Sequence, residues 1–141
     1  MRRTFPLVLI VLIAGCSSTP AAAPSPTPAP LTIGGTMSVP GSSLIGGLDS
    51  NPKPCVTTGG YSDIQEGAQV VITDEASKTI ALGSLEAGKP DSQNSARCVF
   101  PFSVQNVPAG RPFYGIEVSH RGRLQYTAEQ IAMSLQLTLG D

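Results

Sequence analysis

Tryptophan is absent, histidine occurs once, aromatic residues make up 5% of the chain and charged residues 13%. A single imidazole leaves His120 as the sole histidine base for a nucleophile–base–carboxylate triad, and it leaves no set of histidines for a metal centre. Its neighbours in a strand would point to the opposite face, so Ser119 is badly placed to partner it, and no G-x-S-x-G elbow exposes another serine. The charge balance, nine Lys and Arg against ten Asp and Glu, argues against nucleic acid, whose phosphates demand a clustered excess of Lys and Arg. Fifteen glycines and thirteen prolines disfavour a helical bundle, because both residues weaken helices and punctuate chains.

What is present begins with Arg2-Arg3 and the apolar run from Phe5 to Ala14, interrupted only by Pro6. That pattern reads as a secretory leader over residues 1–15, too short to span a bilayer comfortably, since a membrane helix wants about 20 apolar residues. The segment Ile13-Ala14-Gly15-Cys16 resembles a bacterial lipobox. The resemblance implies cleavage after Gly15 and a thioether-linked diacylglycerol on Cys16; the competing reading is an ordinary signal peptide with a coincidental cysteine. Two or more acyl chains would make a durable anchor, at about 0.8 kcal/mol per buried methylene. The expected location is the extracytoplasmic face of the cell membrane. Loss of the leader leaves seven Lys and Arg against ten Asp and Glu.

Residues 16–30 form the expected tether. SSTPAAAPSPTPAP, from Ser17 to Pro30, carries no charge, aromatic or large aliphatic side chain and cannot bury a core. An extended proline-rich spacer rises by about 3.1 Å per residue, so this one reaches roughly 40 Å from the lipid.

Past Leu31 the hydrophobic pattern alternates with period two, which places every second side chain on one face of a strand. Ile33, Gly35, Met37 and Val39 form the first such row. Gln69–Asp74 and Thr79–Leu85 read as a hairpin across Glu75-Ala76-Ser77-Lys78. Cys98, Phe100, Phe102 and Val104 form the clearest row, and Pro101 within it predicts an edge strand or a bulge. Tyr114, Ile116 and Val118 follow, then a turn at His120–Arg123, a short strand around Leu124 and Tyr126, and a last row of Met133, Leu135, Leu137 and Leu139. Thr127-Ala128-Glu129-Gln130 fits a capping box and predicts one helical turn near 127–132. Residues 31–141 are accordingly expected to form an all-β fold, a small antiparallel β-sandwich of six or seven strands.

With Cys16 assigned to lipid, Cys55 and Cys98 remain as the one pair, and an oxidising exterior favours their disulfide. A metal pair or a reactive thiol is the competing reading, without CxxC spacing or a nearby His to support it.

Gly60-Tyr61-Ser62-Asp63-Ile64, Gly67–Asp74, Val107-Pro108, Phe113-Tyr114 and Glu117-Val118 resemble uncharacterised actinobacterial, mycobacterial-type lipoproteins and envelope proteins. The resemblance covers about Leu31 to Leu139. The Gly-Ala-x-Val-x-Ile-x-Asp segment is also similar to transthyretin-like and carboxypeptidase-regulatory-like sandwiches, which implies a Greek-key order. Neither resemblance brings an active site.

Among loops, Gly59–Gly67 is the first choice for binding, because Tyr61 sets a large amphipathic ring among glycines beside Asp63 and Glu66. Calcium needs six to eight oxygens, more than this loop offers in recognisable order, so Asp63 is read as an Asx-turn residue and Glu66 as a solvated charge. Arg111 and the group His120–Arg123 flank one strand at opposite ends, the latter reading as a charged turn that blunts a sheet edge. The sequence thus points to a non-catalytic binding or structural module of the cell envelope, held to the membrane through Cys16, with no cofactor, metal or nucleic acid and an envelope protein or cell-wall component as partner. The other classes in play are an envelope hydrolase or metal-assisted enzyme using Asp63, Glu66 or His120, and a carrier of a small apolar ligand.

Overall fold

Alternation of apolar and polar side chains builds ten strand segments in the computed structural model, which describes residues 28–43, 55–57, 59–94 and 96–140. The segments are β1 (Leu31–Pro40), β2 (Ser42–Ser43), β3 (Cys55–Val56), β4 (Gln69–Thr73), β5 (Thr79–Ser84), β6 (Lys89–Pro90), β7 (Arg97–Val107), β8 (Phe113–Val118), β9 (Arg123–Thr127) and β10 (Leu135–Thr138). One helical turn, α1 (Ala128–Ile131), precedes β10. The leader, Cys16 and the tether up to residue 27 lie outside the described residues. Among the described residues, no helix is long and apolar enough to cross a membrane.

Two four-stranded sheets carry the fold, one in the order β10-β1-β7-β6 and the other β5-β4-β8-β9, with β2 and β3 forming a small ribbon beside them. Their facing rows make one core: Ile33, Met37, Val39, Phe100, Phe102 and Val104 from the first sheet meet Val70, Ile72, Tyr114, Ile116 and Val118 from the second. Each such side chain contributes about 1.5–3 kcal/mol on burial, which is what holds two otherwise half-wet sheets together. The architecture is the expected all-β sandwich.

Three details correct the sequence reading. The sheets are not wholly antiparallel: β10 runs parallel to β1, with Gly35 opposite Leu135 and Met37 opposite Leu137. The chain reaches that position because α1 carries it from β9 in one sheet to the far edge of the other, and a crossover of this kind permits a parallel neighbour. The strand count exceeds six or seven through three two-residue pieces: β2 and β3, which pair with each other, and β6, which forms where the stretch after β5 breaks up. Leu85 bridges to Phe102 and Lys89 pairs with Val99, so this segment passes from beside β4 to beside β7 and joins the two sheets along one side. Finally, Met133 does not begin the last strand; it is 65% exposed, and its N–H closes the turn onto the Gln130 carbonyl.

Pro101 sits in an interior strand, yet its missing N–H costs little. Its carbonyl accepts from Glu86 N–H, and in an antiparallel strand a residue's N and O point to the same side. The ring therefore faces the broken stretch between Leu85 and Lys89 rather than the continuous ladder with β1, a position equivalent to an edge.

The predicted helical turn is present with its capping box: Thr127 Oγ1 accepts from Gln130 N–H while Gln130 Oε1 accepts from Thr127 N–H. Cys55 and Cys98 are joined as a disulfide, Cα–Cα 5.7 Å, which fastens β3 to the middle of the first sheet.

Candidate functional site

Loop 59–67 is shaped from both ends by backbone bonds. Ser62 N–H donates to Gly59 O and Ile64 N–H to Tyr61 O, while Gly67 N–H donates to Leu85 O. Ile64 is fully buried, and its carbonyl accepts from the buried Thr57 hydroxyl at 2.7 Å. The loop is thus a packed cap rather than a free flap, and it presents Tyr61 and Asp63 half-buried and Glu66 exposed.

Across from it, the turn after β8 takes left-handed backbone at Ser119 (φ 48°), His120 (φ 62°) and Gly122 (φ 86°). Glycine adopts such a φ without the strain a side chain meets. This sharp reversal swings Arg121 over the loop. Arg121 Nε donates to Asp63 Oδ2 at 2.8 Å, and its Nη2 donates to both Asp63 Oδ1 and Gly60 O. The guanidinium carbon lies 5.7 Å from the centre of the Tyr61 ring, within cation–π range. The Ser119 hydroxyl donates to Asp63 O at 3.1 Å. A Cβ at Gly140 would collide with the Tyr61 hydroxyl, so the ring also props the end of the last strand.

Asp63 is thus a cross-loop ion-pair partner rather than the Asx-turn residue expected. The Arg121 hydrogen bonds hold its carboxyl down to about 2, and Asp63 in turn pushes the Arg121 guanidinium above its ordinary value. A carboxylate held this way stays ionised at neutral pH with both oxygens engaged, which suits it neither to take a proton nor to ligate a cation. Glu66 is not brought into the pair. Among the described residues, no three His, Cys, Asp or Glu side chains gather closely enough to hold a metal ion.

His120 points into solvent at 87% side-chain exposure, with Nδ1 3.5 Å from Glu117 Oε1. Ser119, bonded to the loop, does not face it. Arg111 lies at the other end of β8, 3.5 Å from Glu75, as its place in the sequence implies.

Two concavities accompany this cluster. Beneath Arg121, where β9 and β10 leave the sandwich unjoined, an apolar cleft of about 100 Å³ is lined by Met37, Ile116, Val118, Leu124, Leu137 and Leu139. On the outer face of the first sheet, a wide trough runs over Thr36, Val99, Pro101 and Gln136, walled by Lys89–Gln93.

Sequence reasoning missed Arg97. Its guanidinium donates to Ser38 Oγ, Ser38 O, Leu139 O and Gly140 O, at 2.9–3.1 Å, and ties β7, β1 and the end of β10 together. No local signal marks it, because its acceptors, three backbone carbonyls and one hydroxyl, lie 42, 43 and 59 residues away. Tyr114 was placed in the core but its polar end was not: the hydroxyl donates to Pro108 O at 3.1 Å and secures the turn before β8.

No protein-family model matches the chain, and no curated protein or solved structure matches it.

Proposed function

We propose that the chain is a membrane-anchored lipoprotein of the cell envelope, held at the extracytoplasmic face through a lipid on Cys16 and acting as a non-catalytic binding or structural module. The observation that carries the reading is the Cys55–Cys98 disulfide, buried at both sulfurs' residues, in a domain that follows a leader-like and lipobox-like N-terminus. Such bonds persist in oxidising compartments and are rare in the cytosol. The proline-rich tether and the segments similar to actinobacterial lipoproteins agree with the same address.

A non-catalytic role is supported by how the charged groups are used. Asp63 and Arg121 neutralise each other, and Asp74 Oδ1 accepts from Ala76 and Lys78 N–H inside its own turn. These pairings shape loops and leave little for acid–base work. The carrier alternative needs an enclosed apolar pocket of about 300 Å³ or more; the apolar cleft beneath Arg121 is about 100 Å³, and the larger trough, about 470 Å³, is lined mainly by polar side chains.

The test is detergent phase partitioning with intact-mass analysis of the mature protein. A chain that begins at Cys16, carries the mass of a diacylglyceryl group and enters the detergent phase is expected; Cys16→Ser should move it to the aqueous phase. An unprocessed or unmodified chain that stays aqueous overturns the proposal.

A further inference from the structure

Edge strands leave unpaired backbone groups that template association unless they are shortened, broken or covered. Here β6 is two residues long and ends in Pro90, and the chain beyond β5 is occupied by its bridge to β7. The strand β9 has neither protection. Among the described residues it pairs with β8 alone, and it contains no proline.

Which of its groups are free follows from the ladder. Ser119 N–H donates to Gln69 O, and Leu85 N–H donates to Ala68 O, so on β4 the odd-numbered residues face β8 and the even-numbered ones face β5. Val71 opposite Glu117 and Thr73 opposite Gly115 then bond across β4–β8, which turns Ile116 and Tyr114 toward β9, where their partners are Leu124 and Tyr126. Arg123, Gln125 and Thr127 therefore direct their N–H and C=O groups away from the sheet. Thr127 N–H is taken by Gln130 Oε1, as this geometry demands. Arg123 and Gln125 remain.

Between those two stands Leu124, on the core-facing side but 51% exposed, because no neighbouring strand covers it. We propose that β9 pairs antiparallel with β9 of a second copy of this chain about a two-fold axis at Leu124, joining the two β5-β4-β8-β9 sheets into one of eight strands. Arg123 then bonds to Gln125 of the partner and Gln125 to Arg123 of the partner, so that four hydrogen bonds use the four free groups of each copy. Leu124 packs on the partner's Leu124 in a non-hydrogen-bonded pair, where side chains approach most closely. The one charged residue of β9, Arg123, sits opposite Glu117 of its own sheet, so the edge carries no unbalanced charge to oppose the pairing.

Cysteine crosslinking of the full chain tests the pairing. Directly opposed, non-hydrogen-bonded residues have Cα atoms about 4.5 Å apart, within disulfide reach. Leu124→Cys should therefore give a disulfide dimer under mild oxidation, whereas Leu82→Cys, at a position 58% exposed on the same sheet, should not. Equal crosslinking of the two, or none from Leu124→Cys, overturns the proposal. Gln125→Pro, added to Leu124→Cys, removes an outward N–H and should abolish the crosslink; its persistence overturns strand pairing. Should that variant fold poorly, sedimentation of purified protein supplies the same decision: Leu124→Asp, which opposes two like charges at the axis, should weaken the wild-type dimer by about tenfold or more. A wild-type protein that sediments as a monomer at every concentration overturns it as well. Neither measurement depends on the lipid, so failure here leaves the anchoring proposal standing.

Discussion

Asp63 and Arg121, 58 residues apart in the chain, meet in a two-point ion pair that clamps loop 59–67 onto the turn after β8. The carboxylate side chain is 37% exposed and the guanidinium 31%, so water screens the pair and its net worth is about 1 kcal/mol despite the good geometry.

The first prediction is an acid-dependent loss of stability. The Asp63 carboxyl is depressed from 3.8 to about 2 by Arg121, so its contribution is present above pH ~4 and disappears as pH falls toward ~2. Thermal melts should show wild type and Asp63→Asn differing by about 1 kcal/mol at pH 7 and converging near pH ~2. A constant difference across that window would place the effect elsewhere.

The disulfide gives a second and larger effect. Cys55 and Cys98 are 43 positions apart, and closing a loop of that size removes unfolded-state entropy worth about 4 kcal/mol, a large share of a small domain's stability. Cys55→Ser with Cys98→Ser should lower the urea midpoint accordingly, and reductant should reproduce the loss in wild type while leaving the double variant unaffected.

Those two contacts also mark where sequence reading succeeds and where it stops. The rows Cys98–Val104 and Tyr114–Val118 were legible because strand geometry alone sends alternate side chains to opposite faces, and the capping box was legible because its partners are three residues apart. Alternation carries no strand direction, so the parallel pairing of β10 with β1 was invisible. It also overran the turn at Met133, whose apolar side chain continues the period of Leu135 and Leu137 without sharing their burial. Tyr61 and Asp63 were singled out for composition, but their joint partner Arg121 lay in a turn read separately, and nothing local links the two.

A third prediction separates two adjacent glycines. A Cβ on Gly35 would lie 2.5 Å from Leu135 O and 2.9 Å from Phe102 Cζ, whereas one on Gly34 meets only Phe102 O at an ordinary 3.5 Å. The Leu135 carbonyl belongs to the β1–β10 ladder and cannot move without opening it. Gly35→Ala should cost about 1–3 kcal/mol, the range for overpacking, and Gly34→Ala far less, measured by urea unfolding of both.

The last prediction concerns how β10 is held. Among the described residues this strand has one neighbour, four residues of pairing, and an open cleft on its other side, so its own ladder is a weak restraint on fraying. Arg97 supplies the missing restraint from β7, because its two Nη atoms reach Leu139 O and Gly140 O while Nε and Nη2 hold Ser38. Lysine keeps the charge but cannot span four acceptors with one compact ammonium. Arg97→Lys should therefore leave the disulfide and the global fold in place yet lower stability by about 1–2 kcal/mol, and hydrogen exchange should report the loss selectively. Amides of Leu135–Leu139 should exchange faster while those of β4 and β8, in the other sheet, keep their protection. Uniform acceleration across both sheets would mean that Arg97 stabilises the sandwich as a whole rather than pinning its final strand.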